Sequence, residues 1–215
     1  MALEKQKMDK QKISLNFENN EVYVIFKKIK YAHIRISQNG EIIISAPKFY
    51  DKNDILKILQ INEKWIEKAL LKFQKNKLEP GKARFLGKTF DVKFGHDGCK
   101  ISENEILCFD KTSLENFKKE FLREKILNFI QKFQPFINKK INRVTLRKMN
   151  TRWGSCNTKK GYLNFSTKLA EKPLDFIEYV VLHEMTHLIF PHHKPEFYDF
   201  IKKIMPDFRK IEKMR

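Results

Sequence analysis

An α+β fold is what this sequence predicts: a strand-rich N-terminal part with one helix, then a C-terminal part of long helix, short sheet and two further helices. Two patterns carry the prediction. Short runs of alternating apolar and polar residues, punctuated by turn residues, fill the front, and apolar residues at helical spacing dominate the back. A hydrophobic content of 41%, with 19 Phe, supplies a real core. The change of pattern falls near residue 110, which gives parts 1–110 and 111–215.

Residues 13–17 and 22–26 read as short strands separated by the hairpin-like turn Glu18-Asn19-Asn20-Glu21. Residues 32–37 alternate, with Ile34 and Ile36 on one face and Arg35 on the other. Gln38-Asn39-Gly40-Glu41 has the chemistry of a tight turn, residues 42–45 return, and Pro47 stops that strand. Asp51 or Asn53 then caps a single helix to about Lys75, with Ile55, Leu56, Leu59, Trp65, Ile66, Ala69 and Leu70 at helical spacing. Pro80-Gly81 breaks it. Residues 85–94 form a hairpin around Gly87-Lys88, and 101–109 the last strand of the front part.

A long amphipathic helix is expected from Ser113 to about Lys140, with Pro135 as a point of kinking. Residues 144–149 and 162–166 read as strands flanking a loop with Gly and Asn. The next helix starts near Pro173, which suits a first helical position, with Asp175 favouring the first-turn dipole; it ends by Pro191. A last helix runs from Pro195 to Met205.

Composition narrows the setting. The three cysteines (Cys99, Cys108 and Cys156) are odd in number and lack framework spacing, so no disulfide and a reducing compartment are expected. Residues 1–12 are polar, with no signal-peptide core. No apolar run approaches the roughly 18 residues of a membrane helix. The expected location is cytoplasmic. A formal charge of +18 raises nucleic acid as a partner. Against that, residues 139–215 hold 17 basic and 8 acidic residues, leaving 27 and 18 elsewhere, so each part is near +9. Only eight of the basic residues are Arg, the better reader of phosphates and bases.

The decisive stretch is Val180-Val181-Leu182-His183-Glu184-Met185-Thr186-His187-Leu188. His183 and His187 lie four apart on the expected helix, so both imidazoles project from one face about one turn apart. That spacing offers two nitrogen ligands to one ion. Glu184 can lean towards the open coordination position without becoming a ligand. There it would deprotonate the water that zinc activates, whose pKa falls to about 7. Pro191 turns the chain, so that either His192 or His193 can return as a third ligand. Four of the six histidines fall within these eleven residues, 183–193. The bland alternative is two surface histidines beside a chance basic cluster. The apolar run before His183 argues against it, because it marks a buried helix.

The sequence resembles the metal-dependent hydrolases called YgjP-like, relatives of the SprT-like metallopeptidases. The resemblance runs from about Lys27 to the C-terminus. It rests on Arg152-Trp153-Gly154-Ser155-Cys156, Tyr162-Leu163-Asn164, the His-Glu-x-x-His helix, and His193 followed by Phe197. It implies a zincin-like C-terminal part, in which the metal helix is followed by a ligand helix. It also implies that the third ligand is His193, which falls at the start of the next expected helix. Three positions depart from the family pattern: His192 stands for Asn, Lys194 for Ser and Tyr198 for Trp. None is an expected ligand or base.

Further candidates stand beside these. Arg147 and Arg152 flank a strand and loop that the family places beside the metal helix; either can bind a substrate carboxylate or an oxyanion, or make a salt bridge instead. Tyr198 can donate to a tetrahedral intermediate or serve as a partly buried anchor. Trp153 and Gly154 read as packing and turn residues, and Cys156 as an inert thiol rather than a fourth ligand. Glu178 and Asp199 can orient ligand imidazoles.

The sequence therefore points to a zinc-dependent metallohydrolase acting on peptide or protein amide bonds, with Zn2+ on His183, His187 and His193 and Glu184 as general base. The strand at 162–166 is expected to lie at a sheet edge and align an extended peptide. The rivals are a nucleic-acid-associated protease and a nucleic-acid-binding module that zinc only staples together. The latter predicts a closed four-ligand site.

Overall fold

The computed structural model describes residues 12–17, 20–37 and 39–214. Residues 1–11, Glu18 and Asn19 of the first turn, Gln38 of the second, and Arg215 lie outside the described residues. Contacts divide the chain between Leu78 and Glu79, beside Pro80-Gly81.

The first unit is a sheet backed by two helices. Strands β1 (Lys12–Phe17), β2 (Asn20–Lys27), β3 (His33–Ile36) and β4 (Ile42–Pro47) lie in the order β1-β2-β4-β3. Both expected hairpin pairings form, and β2 and β4 run parallel. Their register sets Val22 against Ile42 and Val24 against Ile44. These four share a core with Ile55, Leu59 and Ile66.

The single helix expected over 51–75 is two, α1 (Lys52–Ile61) and α2 (Glu63–Asn76). Asp51 caps α1 in a box with Asp54, as the sequence suggests. Asn62 is the break: its φ of −102° and ψ of 7° leave the helical region. Its side-chain amide donates to the Ile58 carbonyl at 2.8 Å, so Asn62 terminates one helix by competing for that helix's own acceptor.

In the second unit, strands β5 (Lys82–Phe85), β6 (Lys88–Lys93), β7 (Lys100–Ile101) and β8 (Glu105–Leu107) form a sheet in the order β5-β6-β8-β7. The single strand expected over 101–109 is divided by a turn, closed where Ser102 N–H donates to the Glu105 carbonyl at 2.9 Å. The sheet joins the back of the chain rather than the front. Phe85 packs its ring 5.0 Å from Phe121 and 5.7 Å from Phe117. Residues 79–110 thus share the second unit's core, and the break expected near 110 falls inside it.

The expectation of no disulfide is also corrected: Cys99 and Cys108 are joined. The backbone explains it. Gly95 and His96 N–H groups donate to the carbonyls of Phe109 and Cys108, folding the loop back along that segment. Cys156 is a free thiol.

Helix α3 (Lys111–Ile137) starts from an Asp110–Ser113 capping box and continues through Pro135. Leu114, Leu122, Ile126, Ile130, Phe133 and Ile137 are buried along one stripe. A three-stranded sheet follows, from β9 (Arg143–Arg147), β10 (Gly154–Asn157) and β11 (Tyr162–Ser166), in the order β10-β11-β9. Sequence propensity reads 154–157 as loop. Antiparallel pairing with β11 makes it a strand, a case of tertiary context overriding Gly-Ser-Cys-Asn.

A 3-10 turn (Thr167–Glu171) leads to α4 (Leu174–Thr186), with Pro173 at its N-cap rather than its first position. Then come α5 (Pro195–Ile204) and a short α6 (Phe208–Glu212), which periodicity did not reveal. Helix α4 packs against α3, β10, α5 and α6, and it carries the second unit's most buried segment. Among the described residues, no helix is long and apolar enough to cross a membrane.

Candidate metal centre

Because α4 is enclosed, the polar groups it carries must be satisfied by one another or by a ligand. His183 and Glu184 lie in its last turn, and His187 is its C-cap. Beyond it the chain turns tightly: Leu188 and Ile189 N–H groups donate to the Met185 and Thr186 carbonyls. Pro191 then redirects the chain and brings His193 back over the helix, just before α5.

His183, His187 and His193 come together, with ligand nitrogens all within 4.8 Å of one another. The Nε2 atoms of His183 and His193 are 3.0 Å apart. Two imidazoles sharing one tetrahedral zinc with bonds of about 2.0–2.1 Å would sit about 3.3 Å apart. The buried Phe197 ring lies against all three, with centroids 4.8–4.9 Å from each imidazole. His192 is exposed and is not in the cluster.

Hydrogen bonds on the far nitrogens suit this donor set to a metal. His187 Nδ1 is 3.2 Å from the Phe190 carbonyl oxygen, which can only accept, so the proton belongs on Nδ1 and Nε2 keeps its lone pair. Burial lowers the pKa of His187, which favours the neutral form that a ligand must have. His183 Nδ1 lies 3.4 Å from the Tyr179 hydroxyl oxygen. That hydroxyl donates to Glu212 Oε1 at 3.0 Å, so its lone pair faces the imidazole.

Glu184 is only 6% exposed. Burial pushes its carboxyl up to about 8, opposed by the positive charge of Arg152. Its side chain lies flat on Gly154 of β10. A Cβ on Gly154 would sit 2.6 Å from both Glu184 Cγ and Oε1, closer than any real contact. Gly154 is therefore not the turn residue the sequence suggested; it is a strand residue that makes room for the carboxylate. Two residues on, burial and then Glu184 push the Cys156 thiol up to about 12, which leaves it inert.

The sequence profile of the YgjP-like, metallopeptidase domain matches residues 30–214. The chain belongs to the YgjP-like metallopeptidase family. The YgjP-like match takes in β3 onward, so it includes part of the first unit and all but the last residue of the second. No curated protein sequence matches the chain significantly. Two solved structures show partial likeness. The metallopeptidase zymogen of Pyrococcus abyssi abylysin is 16% identical, with a TM-score of 0.38 over 41% of this chain and 89% of its own. That of Methanocaldococcus jannaschii jannalysin is 19% identical, with a TM-score of 0.35 over 42% and 89%. At these scores neither adds to the argument.

Other residues of this YgjP-like chain are placed as follows. Arg152 is exposed but within electrostatic reach of Glu184. Arg147 is exposed at the end of β9, on the opposite side of β11 from Gly154. Tyr198 stacks on His193, ring centroids 6.1 Å apart, and on Phe208. Trp153 packs edge-on against Phe176. Glu178 pairs with Lys132 of α3, and Asp199 is exposed. Sequence reasoning missed Tyr179 and Glu212. Tyr179 had a signal, since it shares a helical stripe with His183 and His187 at i, i+4 and i+8. Glu212 had none, because its contact spans 33 residues.

Proposed function

We propose that this chain is a zinc-dependent peptidase, with His183, His187 and His193 as ligands and Glu184 as general base. The observation that carries the reading is the convergence of three imidazoles beside a buried carboxylate seated on a glycine. Three imidazole nitrogens suit zinc and leave a fourth position open, as catalytic sites do and stapling sites do not. A bound zinc supplies Lewis acidity to a scissile carbonyl and to the attacking water. Glu184 takes the water's proton and returns it to the leaving amine.

Substrate alignment is reassigned. The strand expected to do it, β11, is paired on both sides. Among the described residues the unpaired sheet edge beside Glu184 belongs to β10, so an extended peptide is held there by backbone pairing. Arg152, exposed next to Glu184, is the cation available to a substrate carbonyl or carboxylate; Arg147 is not so placed.

The test is metal content and peptidase turnover of wild type, His183→Ala, His193→Ala and Glu184→Gln. Expected is about one zinc per chain, lost in the histidine variants and kept in the inactive Glu184→Gln. Full hydrolytic activity in a zinc-loaded Glu184→Gln protein would sink the mechanism.

A second reading, recruitment of protein substrates by nucleic acid, is favoured by one observation. On α2, Lys64, Lys68 and Lys75 are exposed within a narrow arc, about 100° per residue, and make no ion pair among the described residues. Such a stripe follows a phosphate backbone.

A further inference from the structure

The short C-terminal helix α6 reaches two of the three imidazoles, His183 and His193, by two routes, and the mechanism above uses neither. The first begins at His183 Nδ1, 3.4 Å from the Tyr179 hydroxyl oxygen. That hydroxyl donates to Glu212 Oε1 at 3.0 Å, and Arg209 Nη1 donates to Glu212 Oε2 at 3.1 Å. The second begins at His193, whose ring stacks on Tyr198 with centroids 6.1 Å apart. The Arg209 guanidinium covers the Tyr198 ring at 4.4 Å. The two routes therefore meet at Arg209 and close a circuit through two of the three imidazoles. Phe208 fills its middle: its ring stacks on Tyr179 at 6.2 Å and on Tyr198 at 6.3 Å, and it is 2% exposed.

We infer that α6 is a clasp that positions His183 and His193 for metal, with Tyr179 and Glu212 as positioning residues and Arg209 as the joint. The inference rests on the three imidazoles being a metal site. The physical argument is directional. The tyrosine O–H donates to Glu212, so towards His183 the tyrosine oxygen acts as an acceptor from Nδ1–H. That holds His183 in the tautomer whose Nε2 lone pair faces the other two ligands. A carboxylate behind the tyrosine also raises the electron density that the imidazole offers. Among the described residues no hydrogen bond to the far nitrogen fixes the His193 ring, and the residue is exposed. The Tyr198–Arg209 stack supplies that orientation instead.

The test uses the full chain, with zinc affinity measured by chelator competition and the visible spectrum of the Co2+-loaded protein as a probe of ligand geometry. Tyr179→Phe removes one oxygen and keeps the ring stack. It and Glu212→Ala should each weaken zinc about 10–100-fold and alter the Co2+ spectrum. Because both lie on one route, Tyr179→Phe/Glu212→Ala should cost little more than the worse single change. Glu212→Gln, which still offers an oxygen to the tyrosine, should recover much of the affinity. Lys213→Ala, exposed one residue further on, should behave as wild type.

The unfolding midpoint of the metal-free protein separates clasp from scaffold. It should move little in Tyr179→Phe. Wild-type zinc affinity and an unchanged Co2+ spectrum in both single variants would overturn the clasp. So would a metal-free destabilisation large enough to account for the whole loss of affinity. A wild type that takes up neither zinc nor Co2+ would overturn the metal reading itself, and the clasp with it.

Discussion

Glu184 and Gly154 act as a pair, and the pair makes a sharper test of the site than the ligands do. Gly154 has ordinary strand dihedrals, so a methyl group there would cost nothing in backbone strain; the cost is space. A Cβ at 2.6 Å from the carboxylate must push it aside, by an amount on the scale that costs about 100-fold in rate when a reacting group is displaced. Gly154→Ala should therefore lower turnover by about 100-fold or more while zinc stays bound, at a folding cost of about 1–3 kcal/mol. Turnover and bound zinc measured on one preparation check this. Unimpaired turnover would mean that Glu184 need not lie where it does. Glu184→Gln should lose about 100- to 10,000-fold in turnover, the range that general base catalysis spans. At this scale the sequence was legible wherever residues meet through helical spacing. His183, Glu184 and His187 needed no tertiary information. Gly154 was misread because its partner is thirty positions away and its reason for being glycine is another residue's side chain.

Elements show a similar division. Helices with capping boxes and apolar stripes, such as α3, could be read from the chain, whereas β10 and α6 could not. Neither has a pattern of its own: β10 exists because β11 offers it a ladder, and α6 because Phe208 finds a slot between two tyrosine rings. The disulfide belongs to the same class, since the backbone bonds that fold residues 95–96 against 108–109 leave no trace in cysteine spacing. Its consequence can be measured. Denatured, unreduced protein should show one reactive thiol, Cys156, and reduced protein three. Closing a loop with a sequence separation of 9 stabilises by about 2–3 kcal/mol in the chain-entropy account, so Cys99→Ser should lower stability by that much under oxidising conditions. It should cost far less under reducing ones. Three thiols in the unreduced protein would show that the pair does not form.

On the whole-molecule scale, the +18 charge is a poor guide by itself because it is spread near +9 and +9 along the chain. Charge drawn from both parts of the chain gives attraction to any polyanion without fixing where it binds. The proposed second reading names a location that composition lacks, the α2 stripe of exposed Lys64, Lys68 and Lys75. Stripe and diffuse field make different predictions about salt. For single-stranded DNA, the logarithm of affinity falls against the logarithm of salt with a slope of about 0.7 per phosphate neutralised. Replacing the three lysines by glutamine should reduce that slope by about 2 if they are the contact. If binding is diffuse, removing 3 of 44 basic residues should barely change it. Fluorescence anisotropy across a salt series reads the slope directly, with three lysines of another surface replaced as the control. Peptidase turnover with and without the DNA then separates contact from function. A rise in turnover that disappears with both the triple variant and added salt would make nucleic acid a recruiter of substrate. A reduced slope with turnover unmoved would leave the stripe as a binding surface and the peptidase independent of it.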